Sequence, residues 1–312
     1  MTAAQYFSTD PDNARRMFLA ACLEARLPVA SFEAPRDECD EFPVHIDVAY
    51  AGAPDAEIAL VVCPGSRMAE GLCASGIQTA ALRAGLQTEL PNSFSLVLVH
   101  TVWPSTFEEI SLDDPCESTS VAMEWDDSIL AAADFRFNED NAKTKKPTLL
   151  EQERQKWYRR VLADVAGRFL NSARHLVFID VQTGSGPYGE AEVLSCHLPE
   201  SKDEARAIKM FGARGTANGV AITNLQGPIA RGLAAELADR QTTAVVMEFG
   251  CYSLTTVFDT LLSRHELEVA GRNRIDRLFY PAAMDWRERV WAGAANILRL
   301  GFQSADHMDL NS

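Results

Sequence analysis

The 312-residue chain has no apolar run long enough to span a bilayer; its longest, at 58–63 and 95–99, are the length of single strands, so no membrane span is expected. An excess of basic residues is missing as well. Asp and Glu number 44 against 29 Lys and Arg, a formal net charge of −15, and attraction to a phosphate backbone or an anionic bilayer therefore has the wrong sign. Nucleic acid and membrane surfaces are set aside as partners. The seven cysteines, at 22, 39, 63, 73, 116, 196 and 251, are an odd number without paired spacing, and no charged-then-apolar leader opens the chain. A reducing, cytoplasmic setting is the expectation. Repeats, heptads, low-complexity tracts and Pro/Gly/Ser linkers are also lacking, which favours one domain over 1–312, and 47% hydrophobic residues are ample for its core.

What the chain does contain is an alternation of the two periodicities. Helical spacing at 10–26, 69–85, 150–172, 227–240, 253–266 and 284–299 is interleaved with strand-like runs at 42–50, 57–63, 94–101, 175–181, 219–223 and 242–249. The pattern predicts an α/β fold of three layers, α/β/α, around a central mixed, mostly parallel sheet. One segment stands out from it. Residues 108–140 hold eleven Asp/Glu and one Arg. They read either as a solvated surface insertion whose carboxylates repel one another, or as a lid or partner-binding segment.

Familiar catalytic motifs are scarce. The glycines at 212, 215 and 219 have neither the Lys-Ser/Thr of a P-loop nor dinucleotide spacing. Cys63 and Cys73 have no nearby histidine to generate a thiolate, and Ser66 in CPGS lacks the flanking glycines of a nucleophile elbow. Ligands of open α/β sheets bind beyond the carboxyl ends of the strands. Three such ends carry polar, loop-forming residues: GSRMAE from Gly65 to Glu70, QTGSGPYGE from Gln182 to Glu190, and Glu248-Phe249-Gly250. Taken singly each also reads as a turn with a helix cap.

Taken together, the three blocks resemble a known family. CPGSRMAEG, DVQTGSGPYGE and MEFGC are similar to the S-G-T-H-G-x-E-G, D-L-H-T-G-x-G-P-Y-G-E and L-E-F-G-T blocks of the zinc-carboxypeptidase and succinylglutamate desuccinylase/aspartoacylase superfamily, in a bacterial branch of unknown function. The likeness extends to Tyr6-Phe7-Ser8, Val99-His100, Pro104, Phe107, Asn138-Glu139-Asp140-Asn141 and Asp285-Trp286, nearly the whole chain. It implies a zinc-exopeptidase-like fold in which two histidines and a glutamate hold Zn²⁺ and the glutamate of L-E-F-G is the general base of amide or acyl hydrolysis.

Carried onto this chain, the ligand positions are Arg67, Glu70 and Gln182, and the base is Glu248. Arginine has no lone pair to offer and glutamine is a weak, neutral ligand, so Glu70 is the one retained metal position and no cofactor is expected unless the site is active with zinc. His45, His100, His175, His197, His265 and His307 occur singly and do not replace the lost pair. Lys146 falls where the family has a substrate-binding arginine; it keeps the charge but not the bidentate fork, and it reads equally as a solvated lysine. Tyr188 of GPYGE is a further candidate binding residue and, as an aromatic, a packing one. Residues 108–133 look like an insertion relative to the family. In the absence of zinc, the guanidinium of Arg67 is expected to pair with Glu70 or with Glu248.

Three functions follow as alternatives. One is a non-catalytic or altered member that binds a small carboxylate, a peptide end or a protein partner. Another is an active hydrolase of amide or acyl bonds with an atypical or absent metal. The third is an interaction protein acting through the acidic insertion.

Overall fold

In this computed structural model the described residues are 2–36, 42–103, 149–213, 227–253, 255–256 and 278–303. The expected strand at 219–223, most of the expected helix at 253–266, the acidic segment 108–133 and Lys146 lie outside them, as do Pro104, Phe107 and Asn138 to Asn141.

The described elements run in the order α1 (Pro11–Glu24), β1 (Val29–Glu33), β2 (His45–Gly52), β3 (Ile58–Pro64), α2 (Met68–Arg83), β4 (Phe94–His100), α3 (Leu149–Phe169), β5 (His175–Ser185), β6 (Ala191–Ser195), α4 (Lys202–Phe211), α5 (Pro228–Glu236), β7 (Gln241–Tyr252) and α6 (Met284–Gln303). Local chemistry sets several of the boundaries. Asp10 caps α1 by accepting from Asn13 N at 2.6 Å, with Pro11 at the first helical position, where its missing N–H is of no consequence. Ser201 caps α4 in the same way through Glu204 N, and Gly212 ends that helix in the left-handed region at φ 62°.

All seven strands form one mixed sheet in the order β1-β2-β4-β3-β5-β7-β6. The pairings among the central four, β4, β3, β5 and β7, are parallel; those made by β1, β2 and β6 are antiparallel. Every residue of β3 and β4 is buried, as their unbroken apolar runs require of strands covered on both faces. One apolar layer unites α1, α2, α4 and α6 with one face of the sheet through Phe18, Ile77, Phe249, Trp286 and Leu298. A second, on the other face, joins α3 and α5 through Tyr158, Val161, Leu162, Ile229 and Leu233. The helices α1 and α6 also pack on α2, which is buried along residues 69–82. The abundance of Ala, Gly, Ser and Cys in that helix permits the approach.

Two short strands and a helix were not anticipated. Both strands, β1 and β6, are five-residue edge strands with partly exposed faces, so their sequences carry little of the apolar signal by which interior strands are read. The helix, α4, is charged over most of its surface and buries only Glu204, Ala207, Met210 and Phe211. A different correction bears on function. Gln182, expected in a loop beyond the strand at 175–181, lies within β5, whose parallel pairing with β7 continues to Ser185 and Tyr252 and sets Gln182 directly beside Glu248, near the end of the strand expected at 242–249. Extension of the ladder satisfies backbone groups that a loop at this depth would leave unpaired.

Candidate functional site

The three polar blocks converge. The loop after β3 docks on the end of β5 through Gly65 N, which donates to Val181 O at 2.9 Å, and α2 begins at Met68 immediately afterwards. Arg67 is the residue preceding that helix and Glu70 lies in its first turn, a position favoured for a carboxylate by the free N–H groups and the dipole. Oε2 of Glu70 accepts from Arg67 N at 2.9 Å, while Oε1 accepts from Arg67 Nε at 2.9 Å and Nη2 at 2.6 Å. Nη2 also donates to Thr183 O at 2.5 Å, and the guanidinium lies over the ring of Phe279, 4.6 Å from its centroid. The carboxylate is buried at 3% exposure and the arginine side chain is half-buried at 37%. Burial opposes the guanidinium charge, but the charge and hydrogen bonds of Glu70 outweigh it and hold the pKa above its ordinary value.

Gln182, on the adjacent strand, is buried, and its Nε2 donates to Asp180 Oδ2 at 2.8 Å. The same oxygen accepts from Gly227 N at 2.8 Å, which identifies it as an acceptor and fixes which end of the glutamine amide faces it. Asp180 is fully buried, with Oδ1 unpartnered among the described residues. Burial above all raises its carboxyl to about 7, against the Gln182 hydrogen bond. Glu248 makes no hydrogen bond or ion pair among the described residues. Burial raises its pKa first; Arg67 opposes the shift, and the like charges of Glu70 and Glu192 add to it. Its carboxyl group lies flat against Gly184, where a Cβ would stand 2.6 Å from Glu248 Cδ, so only glycine leaves the carboxylate its place.

A groove of about 640 Å³ opens beside this crevice, with Glu190, Glu192, Glu248, Arg289, Asn296 and Phe211 in its wall. Tyr188 stands near it, half-buried on the apolar layer and 5.9 Å from the Tyr252 ring, so packing is the role its surroundings show. The thiols of Cys63 and Cys73 are buried and pushed well above their ordinary pKa by that burial, which removes them as nucleophiles. His100 is also buried, stacked on Phe18 and bonded to Ser75, and is no metal ligand in this arrangement. Arg67, Glu70, Gln182 and Glu248 are thus brought together in one crevice, while Lys146 lies outside the described residues. Asp180, Thr183 and Phe279 complete the setting. Asp180 stands within the DVQTG motif; of its two partners Gln182 is two positions away and Gly227 47, and only the fold brings the second to it.

Arg67 offers only donors, both oxygens of Glu70 already accept from it, and the glutamine amide is turned onto Asp180. Among the described residues no group of three His, Cys, Asp or Glu is placed to hold an ion. The residues do not fit the three-ligand centre that the resemblance implies.

Fold and site together define a mixed-sheet α/β protein with a polar, charge-paired crevice at the carboxyl ends of its parallel strands. The chain belongs to the family described as protein of unknown function DUF2817, which matches residues 7–111 and 152–293. No curated protein matches it. Among solved structures it is similar to a glutaminyl cyclase from Macrostomum lignano, at 13% identity over 99% of this chain and 88% of that one, with a TM-score of 0.48. A Fimbriiglobus ruber glutaminyl cyclase is similar at 13% identity over 96% and 93%, with a TM-score of 0.45. A cytosol aminopeptidase from Coxiella burnetii is similar at 11% identity over 80% of this chain, with a TM-score of 0.38, and the chain spans only 59% of that protein. Such remote likenesses carry no information about the chemistry.

Proposed function

We propose that this protein is a non-catalytic relative of the zinc-carboxypeptidase and aspartoacylase group whose crevice binds a small carboxylate-bearing molecule or a peptide end without metal, in the cytoplasm. The observation that carries the reading is the engagement of both Glu70 oxygens by Arg67, which puts a fixed guanidinium charge where the resemblance calls for a zinc ligand. The guanidinium offsets the charge of a buried carboxylate as a cation would, but it supplies neither a Lewis acid nor a bound water.

Metal analysis of the protein purified without chelators tests this directly. Far less than one equivalent of zinc is expected, and an Arg67→His/Gln182→His double variant should retain about one, since three ligands and an open position are then restored. A full equivalent of tightly held zinc in the wild type overturns the reading. One observation favours a second reading, metal-independent hydrolysis: Glu248 is a carboxylate without a partner among the described residues and with a raised pKa, the property of a general base. Release of amino acid from N-acyl amino acids, abolished by Glu248→Gln, would establish it.

A further inference from the structure

The crevice contains a cation and a carboxylate that are not paired with each other. Of the five N–H groups of Arg67, Nε–H and those of Nη2 are spent on Glu70 and Thr183 O, while the Nη1 edge has no partner among the described residues. Glu248 has none either, although the two charges are close enough for Arg67 to oppose the rise in the glutamate's pKa. Gln182 stands next to Glu248 in the β5–β7 register, and with its Nε2 held by Asp180 its Oε1 is an acceptor to which no hydrogen bond is made among the described residues, on a side chain only 4% exposed. One wall therefore offers donors that suit an anion, and the other offers two acceptors that suit an ammonium group.

We infer that the crevice recognises a zwitterion of the α-amino acid class, its carboxylate on the Nη1 edge of Arg67 and its ammonium between Glu248 and Gln182 Oε1. This rests on the metal-free binding reading and narrows its ligand. A guanidinium is suited to the planar carboxylate, and the rigid support from Glu70 below and Phe279 beneath the plane keeps that edge oriented before the ligand arrives. The ammonium supplies the counter-charge that Glu248 lacks, so each half of the ligand answers a charge the other half does not. Asp180 acts here as a positioning residue: it holds the amide nitrogen of Gln182 and so keeps the carbonyl for the ligand. The side chain of such a ligand would find room in the groove that Glu248 borders.

Calorimetric titration of the full chain with L-alanine, propionate and ethylamine tests the inference, because the last two are the separate halves of the first. L-Alanine is expected to bind at least about ten-fold more tightly than either half, and Glu248→Gln should erase that advantage while propionate still binds. A loss of packing alone would weaken both probes together and leave their ratio unchanged. If propionate binds the wild type as tightly as L-alanine, or if Glu248→Gln leaves the ratio as it was, the zwitterion inference fails and the carboxylate-binding reading survives. If none of the three binds, both fail. Should the variant not fold, the comparison of the three probes on the wild type still decides.

Discussion

At the scale of single residues, Arg67 is the cation on which the contacts of the crevice centre. It lies half-exposed over a buried carboxylate, so its removal leaves Glu70, at 3% exposure, with the backbone N–H of position 67 as its one partner among the described residues. Arg67→Gln is expected to lower unfolding stability by about 2 kcal/mol in urea titrations at neutral pH, less than a wholly buried pair would lose because water reaches the arginine. An unchanged transition midpoint would mean that the pair carries no stability. The identity of the residue was plain from the motif comparison, but its partner was not. Glu70 and Glu248 were both within reach on paper, and the choice fell to Glu70 because the helix start presents its carboxylate to the Arg67 backbone and side chain together.

At the scale of elements, the parallel strands β5 and β7 separate two polar ends of the sheet. The crevice lies at their carboxyl ends. At the other, His175 opens β5 and is buried, with Nε2 bonded to Thr243 Oγ1 at 2.9 Å; Arg206 Nε donates to the same hydroxyl at 2.7 Å. Burial first, and then the Arg206 charge, lowers the His175 pKa to about 4. Buried His100 is lowered to about 4 as well, again chiefly by burial. Between the unfolded value near 6.5 and the folded value the unfolded chain binds more protons, so this stability is present above pH 6.5 and is lost as pH falls toward 4. For His175 the full loss is on the order of 3 kcal/mol. Melting temperatures measured from pH 7 to 4 should fall, and His175→Gln should flatten that slope; an equal slope in the variant would show that another group governs it. Asp180 works in the opposite sense. Its carboxyl is raised to about 7, so its contribution is complete below pH 3.8 and is lost as pH rises through 7.

For the molecule as a whole, the two apolar layers on either face of the sheet are assembled from residues up to 103 and after 149, within the described residues. The family match likewise stops at 111 and resumes at 152. Deleting residues 112–133 is therefore expected to leave the melting temperature within about 3 °C of the wild type, because a core of this size loses several degrees only when a kilocalorie or more is removed. A much larger drop by calorimetry would place those residues in the core and end the insertion reading. The central strands were legible because burial on both faces demands unbroken apolar sequence, as in IALVV and SLVLV. Edge strands β1 and β6 were not, since one exposed side relaxes that demand.

The amino-acid sequence by itself determined the alternation of helix and strand, the layered α/β class and the acidic balance of charge, since each follows from residue chemistry and short-range periodicity. Which carboxylate Arg67 would take, that Gln182 would turn its amide nitrogen to Asp180, and that Glu248 would have no partner among the described residues were decided only by the tertiary structure. Those choices depend on distances of a few ångströms between β5, β7 and the start of α2, elements up to 181 positions apart in the chain (from Arg67 to Glu248), and no local pattern encodes them.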